Sequence, residues 1–372
     1  MKLCLSSLLL LAPLVTGYTV RPVTSSRNTR ALFSHEPAAR AFEPFMQADA
    51  SSDAISRRDL FSQAIVGVTA SMMFSQVANA AEGGIGSSPD SPIVVLGAGG
   101  KVGKLCTEIL ANKGLYVRAT TRSGRSILEK ESPFVSYAQA DVTQLESLEN
   151  SVKGASGVIF AASASGKKKG GEPVAVDYLG VYNAAKACLD QKVSKLVVVS
   201  AATATRPDSL GFKATNYFVK FVYGDRIMDS KIAGEAAMRD LYASAGSKGY
   251  AVVRPGGLND KKSVGSAKVH VSQGDVYASE ISREDVALVT VATLLKGAAT
   301  DGVTFELNQE EGLAKALKDL PDPPAELVHA GAPSFDALLD GLLTDEQIKK
   351  KYSSLINDFR GDGMPSLEEL LA

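Results

Sequence analysis

The chain has 372 residues, 45% of them apolar and 22% charged, with 33 Gly and a formal net charge of −1. That balance excludes a disordered or collagen-like chain. The lack of a basic excess argues against a nucleic-acid partner. Residues 1–80 hold seven of the 40 Lys and Arg and five of the 41 Asp and Glu, which leaves a charge of −3 beyond them. Of the three cysteines, Cys4 lies in that leader, and Cys106 and Cys188 sit in apolar helical stretches, so neither a disulfide framework nor a metal cluster is expected. Only His270 and His329 fall after residue 80, which argues against a histidine-rich metal site.

The leader reads as three addresses in series. Lys2 and the apolar residues 3–15, with small residues before Gly17 and Tyr18, make a signal peptide over 1–17. Residues 18–55 carry Arg21, Arg27, Arg30 and Arg40 among Ser, Thr and Ala, the composition of a transit segment. Residues 56–80 place Arg57-Arg58 before an apolar stretch and end in Ala78-Asn79-Ala80, which resembles a twin-arginine signal. Together they resemble the leader of a nucleus-encoded plastid protein in algae with a secondarily acquired plastid. The expected location is the thylakoid lumen or a thylakoid-associated state, with the stroma as the alternative.

From residue 91 the pattern alternates strand and helix. Residues 91–96 are an apolar run, followed at once by Gly97-Ala98-Gly99-Gly100-Lys101-Val102-Gly103 and a helix over 104–112. Strand, glycine turn and helix in that order are the context a dinucleotide fingerprint requires. Gly97 permits the tight turn, Gly100 lets backbone approach a diphosphate, and Gly103 allows close helix packing. The second strand, 116–122, ends not in an acid for a ribose 2′-hydroxyl but in Arg122, with Arg125 close behind. A guanidinium fork there suits a 2′-phosphate, so NADP(H) is expected ahead of NAD(H). Strands over 134–140, 157–162 and 195–200 and helices over 145–152 and 174–189 continue the alternation. Uninterrupted apolar strands belong to a parallel sheet covered on both faces, an α/β doubly wound fold.

The ordered set Gly97, Gly100, Gly103, Arg122, Asp141-Val142, Asp177-Tyr178, Val181, Ala184, Val197 to Ser200, Lys231 and Val253-Arg254-Pro255-Gly256-Gly257-Leu258 resembles the atypical short-chain dehydrogenase/reductases, the NmrA-like or NAD(P)-binding branch. The resemblance covers 91–308 and implies a Rossmann domain there, with 309–372 left as a helical extension. It implies that Gly97, Gly99, Gly100, Lys101, Val102 and Gly103 hold the diphosphate, Arg122 the 2′-phosphate, and Asp141 and Val142 the adenine. Ala161 and Ala162 would line the ribose, and Arg254, Pro255 and Gly256 would flank the nicotinamide.

The catalytic half departs from the family pattern. Active members carry a Tyr-x-x-x-Lys pair after the fifth strand, in which the lysine lowers the phenol's pKa and holds the ribose. Lys231 fits the lysine, but Ile227 stands four residues before it. Ser200 falls at the serine position. Tyr223 and Tyr217 are the remaining candidate proton donors, while Tyr182 and Lys186 match the spacing on the wrong helix. Lys231 also admits a reading as a surface residue paired with Glu235 at i+4.

Residues 204–223 are rich in rings (Phe212, Tyr217, Phe218, Phe221, Tyr223), a surface for an apolar substrate, for a protein partner or for packing as a lid. Residues 165–171 form a basic loop. A helix over 282–295 and a last strand over 303–307 close the domain, and a capping box at Thr344 and Gln347 opens a helix with Ile348, Tyr352, Leu355, Ile356 and Phe359 on one stripe, a face expected to pack on the main domain. Three functional classes stay open: an NADP(H)-dependent oxidoreductase or isomerase on a small apolar substrate, a non-catalytic redox sensor or assembly and maintenance factor for a photosynthetic complex, and a scaffold without nucleotide.

Overall fold

In the chain's computed structural model, residues 84–164, 171–223, 226–361 and 363–372 are described, with Phe218, Val219 and residues 221–223 described in backbone only. The first half alternates β1 (Ile93–Leu96), α1 (Lys101–Asn112), β2 (Val117–Thr121), β3 (Val135–Gln139), α2 (Leu145–Val152), β4 (Gly157–Phe160), α3 (Gly180–Asp190) and β5 (Leu196–Val199). A π-helical segment, Val174–Leu179, leads into α3. Then come α4 (Leu210–Tyr223), α5 (Ile227–Ser244), β6 (Tyr250–Pro255), β7 (Gly257–Asn259), β8 (Val269–Ser272), β9 (Tyr277–Ala278), β10 (Glu280–Ser282) and α6 (Arg283–Leu295). The chain closes with β11 (Val303–Gln309), β12 (Ala314–Lys315), β13 (Val328–Ala330), α7 (Asp345–Lys351) and α8 (Leu367–Leu371).

Among the described residues nine strands form one sheet in the order β13-β8-β11-β6-β5-β4-β1-β2-β3. The strands from β3 to β6, together with β11, are parallel, while β8 and β13 join antiparallel. Side-chain alternation splits each central strand between two cores. Ile93, Val95, Ile159, Val197 and Val253 point to the face covered by α1 and α6. Val94, Leu96, Val158, Phe160 and Val198 point to the face covered by α2, α3 and α5. This two-sided burial is why these strands read as unbroken apolar runs. Ser282 caps α6 by accepting the Asp285 N–H, which fixes that helix start.

Beyond residue 300 three expectations are corrected. The strand expected over 303–307 runs to Gln309 and is not the last, because β13 adds to the sheet through β8. The capping box at Thr344 forms, but α7 stops at Lys351 rather than carrying the whole apolar stripe. Tyr352 leaves helical conformation, and the Leu355 carbonyl accepts from the buried Arg206 guanidinium instead of closing another turn. Most of the stripe is buried within the extension itself, where Ile348 and Leu355 pack with Leu327, and the Phe359 ring meets Phe212 of the main domain edge-on at 5.7 Å.

A buried ionic cluster underlies the ends of β5 and β6. Arg254 donates to Glu235 through Nη2 at 2.6 Å, and Arg239 links Glu235 to Asp345 with two contacts of 2.9 Å. Burial alone would raise the Glu235 carboxyl, but the Arg254 and Arg239 guanidiniums outweigh it and hold it at about 2. Glu306 is the converse case. Burial, reinforced by Asp275, pushes it up to about 8, with Arg254 Nη1 opposing from 3.5 Å. A carboxyl raised on folding stabilises the protein fully below its unfolded pKa of about 4.3, and that contribution fades as pH rises through about 8. Thermal melts should therefore lose stability between pH 5 and 8 in the parent and lose less in Glu306→Gln; equal slopes would contradict a proton bound there.

Candidate functional site

The strand order reverses direction between β1 and β4, and in such sheets ligands bind at that switch point, outside the strands' carboxyl ends. Gly97 begins the turn there with φ +79°, and a Cβ on it would lie 2.6 Å from the Ala162 nitrogen. Gly103, one turn into α1, would set its Cβ 2.4 Å from the Gly97 carbonyl oxygen. Both positions demand glycine for close approach. Gly99 faces Thr121 at the end of β2, and Gly100 is the N-cap of α1 with no side-chain cap. With Gly100 N donating to Gly97 O at 2.9 Å, the N–H groups of Lys101, Val102 and Gly103 open the helix. A helix start cradled by glycine backbone, with no side-chain cap, fits a diphosphate. The Lys101 ammonium itself reaches Asp260 at 2.5 Å, and Arg283 holds the same carboxylate.

Around this turn the expected nucleotide contacts fall along one edge. Arg122 and Arg125 are exposed just past β2, and Arg122 has no hydrogen bond or ion pair among the described residues. Asp141, just past β3, accepts from Thr143 N at 3.0 Å and Thr143 Oγ1 at 2.8 Å, which fixes the loop. Val142 is buried against Gly180. Ala161 and Ala162 continue β4 over the glycine turn, with Ala161 N donating to Leu96 O. Pro255 ends β6 buried, and Gly256 packs against the Ser279 carbonyl. Arg254 does not flank this edge: its side chain, 7% exposed, turns into the Glu235 cluster, because a buried guanidinium needs carboxylates.

The second half of the site gathers at the ends of β4 and β5. Lys231 donates from Nζ to Asp177 Oδ1 at 2.7 Å, and Asp177 Oδ2 accepts the Ala164 N–H at 2.9 Å. The alternative of a Lys231–Glu235 surface pair is thereby corrected, since both acids are 1% exposed and each has its own cation. Gly234 makes the reach possible, for its Cα lies so close to the π segment that a Cβ would stand 2.3 Å from Asp177 O. Ser200 donates its hydroxyl to Glu235 Oε1 at 2.5 Å. Lys231, Asp177, Ser200 and Glu235 line a void of about 10 Å³ with Phe160, Val181, Val198 and Val199, at the lower limit for one water. Ile227 is 7% exposed, in an apolar cluster with Ala204, Phe212, Met228 and Ile232. Tyr217 is 67% exposed on α4. α4 ends at Tyr223, whose side chain lies outside the described residues, as do residues 165–170 of the basic loop expected over 165–171. Tyr182 and Lys186 lie on α3, where Lys186 pairs with Asp190.

Removing the Lys231 charge tests the pairing. Lys231→Met should cost roughly 3–5 kcal/mol in urea denaturation, because it strands a buried carboxylate. Asp177→Asn, which keeps an acceptor for the Ala164 amide, should cost less. A Lys231→Met chain as stable as the parent would show that Asp177 does not depend on it.

This fold and edge define a Rossmann dinucleotide-binding protein. The sequence matches the family described as NAD(P)H-binding over residues 97–296, more than half of the chain, and the chain belongs to that family, as the resemblance implied. Comparison with curated proteins found no match. Among solved structures, an oxidoreductase from Lactococcus lactis is 19% identical, with 59% of this chain and 90% of that one covered and a TM-score of 0.47. A putative NAD-dependent epimerase/dehydratase from Bacillus halodurans is 22% identical, covering 59% and 94%, at 0.46. A short-chain dehydrogenase/reductase from Veillonella parvula in complex with NADP is 18% identical, covering 63% and 99%, at 0.44.

From sequence alone Asp177 is only part of a motif and Glu235 only a surface partner of Lys231. A signal existed for Asp177, a lone acid inside the apolar run 174–181, since a carboxylate in such a run needs a partner.

Proposed function

We propose that the chain binds NADP(H) and works as an oxidoreductase or isomerase on a small apolar substrate, with a proton donor other than the family's tyrosine. The observation that carries the nucleotide part is the Gly97–Gly103 cradle with exposed Arg122 beside it. The α1 N-terminus takes the diphosphate, the Arg122 guanidinium the 2′-phosphate, and the Lys231 ammonium, held by Asp177, the ribose hydroxyls. A bound nicotinamide nucleotide would supply or accept hydride. The apolar side chains Leu210, Leu258 and Val264, exposed on the segments that follow β5 and β6, support an apolar substrate. The tyrosines of α4, Tyr217 and Tyr223, are the candidate donors, with Ser200 beside the substrate carbonyl.

Arg122→Ala should weaken NADPH binding about 10- to 100-fold and leave NADH nearly unchanged, as expected for losing one charge-assisted phosphate contact. Fluorescence titration reads both, and an equal loss for the two nucleotides would remove the role given to Arg122.

A second reading has its own support. The Ser200 hydroxyl is committed to Glu235, and Ile227 is buried among apolar side chains, which favours a non-catalytic redox sensor or an assembly and maintenance factor for a photosynthetic complex. A turnover screen with quinones, enones and pigment precursors separates the two. NADPH oxidation that is lost in Tyr217→Phe or Tyr223→Phe supports the enzyme, whereas tight binding without turnover supports the sensor. The composition of residues 1–80 supports a plastid address. A fluorescent reporter carrying them should enter the plastid, and retention in the secretory route would contradict that address.

A further inference from the structure

Five large apolar side chains stand exposed among the described residues, and four of them lie on the segments that follow β5 and β6. Leu210 is 82% and Tyr217 67% exposed, seven residues and so two turns apart on one face of α4. Leu258 at 40% and Val264 at 38% stand on the segment after β6. Cations accompany both groups. Lys213 lies between Leu210 and Tyr217, and Lys220 follows one turn on. Lys261, Lys262 and Lys268 are exposed in the second segment. The acids nearby are partnered: Asp208 faces Lys213 itself at 3.8 Å, Glu280 faces Lys261 at 3.9 Å, and Asp260 holds Lys101 and Arg283, which leaves Lys262 and Lys268 without an ion pair among the described residues. α4 has five aromatic residues, two lysines and no acid in its 14 residues, in a chain that is net negative.

Resting on the reading of an apolar substrate, we propose that this rim docks on an anionic lipid surface, so that the site opens toward the bilayer from which such a substrate partitions. Leu210 and Tyr217 would meet the acyl boundary and the exposed lysines the headgroups, while Phe212 is buried against Phe359 and takes no part. The attraction is local, since it opposes the charge of the chain as a whole. A second copy fits the face less well, because two-fold pairing would bring the lysines of two α4 helices into one interface.

Flotation of the full chain with phosphatidylcholine vesicles, with and without phosphatidylglycerol, tests the proposal against variants that share the same leader. Binding should require the anionic lipid and fall with added salt. Leu210→Ser with Leu258→Ser should reduce it at least tenfold, and Lys213→Gln and Lys261→Gln about five-fold each at low salt. NADPH affinity should be unchanged in Lys213→Gln and Lys261→Gln, and the two serine variants should keep the parent's thermal melt. Variants that float as well as the parent, or equal binding to uncharged vesicles, would overturn the proposal. A concentration-dependent dimer abolished by Leu210→Ser would do so too, by giving the face to a second copy. Vesicle binding that persists while no apolar compound is turned over would instead count against the substrate reading alone.

Discussion

Gly103→Ala should weaken NADPH binding about 100-fold or more. The added methyl would stand 2.4 Å from the Gly97 carbonyl oxygen and 2.9 Å from the Ala98 Cα, both backbone atoms that cannot swing aside. α1 must then lift from the turn, and the N–H groups of Lys101, Val102 and Gly103 move with it. Losing two hydrogen bonds to a charged diphosphate at about 1.5–3 kcal/mol each accounts for that factor. Asn112→Ala, at the exposed far end of the same helix, should leave binding unchanged. If Gly103→Ala binds NADPH like the parent, the diphosphate does not sit on this helix.

Glu235→Ala should destabilise the protein by roughly 3–5 kcal/mol, as much as Lys231→Met. It leaves Arg254 and Arg239 facing each other without their shared carboxylate, and Ser200 without its acceptor. The pH dependence has a definite sign. A carboxyl held at about 2 contributes stability that is present above its unfolded pKa of about 4.3 and lost as pH falls toward 2. Urea denaturation at pH 7 and pH 3 should therefore show a smaller gap between parent and variant at the lower pH. A gap that stays constant would mean that the Glu235 charge is not what holds the two arginines.

Much of the fold was legible because it is local. Residues 93–96 and 196–199 are buried on both faces, so their apolar runs and the glycine turn after the first announce parallel strands without any knowledge of partners. The nucleotide edge follows, since Gly97, Arg122, Asp141 and Ala161 each fall within two residues of a strand's carboxyl end. What stayed hidden depends on partners far apart in sequence. Lys231 lies 54 residues from Asp177, and an i+4 rule offers Glu235 first. Glu235 belongs instead to arginines on its own helix and on β6, and Asp345 reaches that cluster from 106 residues past Arg239. The early end of α7 has the same cause: Arg206 takes the Leu355 carbonyl across 149 residues, against a helical periodicity that the sequence carries to Phe359.

The most direct test of this account is a fluorescence titration of the unsubstituted protein with NADPH and NADH. Saturable binding of both, tighter for NADPH, is the predicted result. No binding of either nucleotide would contradict the reading of the Gly97–Gly103 turn as a diphosphate cradle.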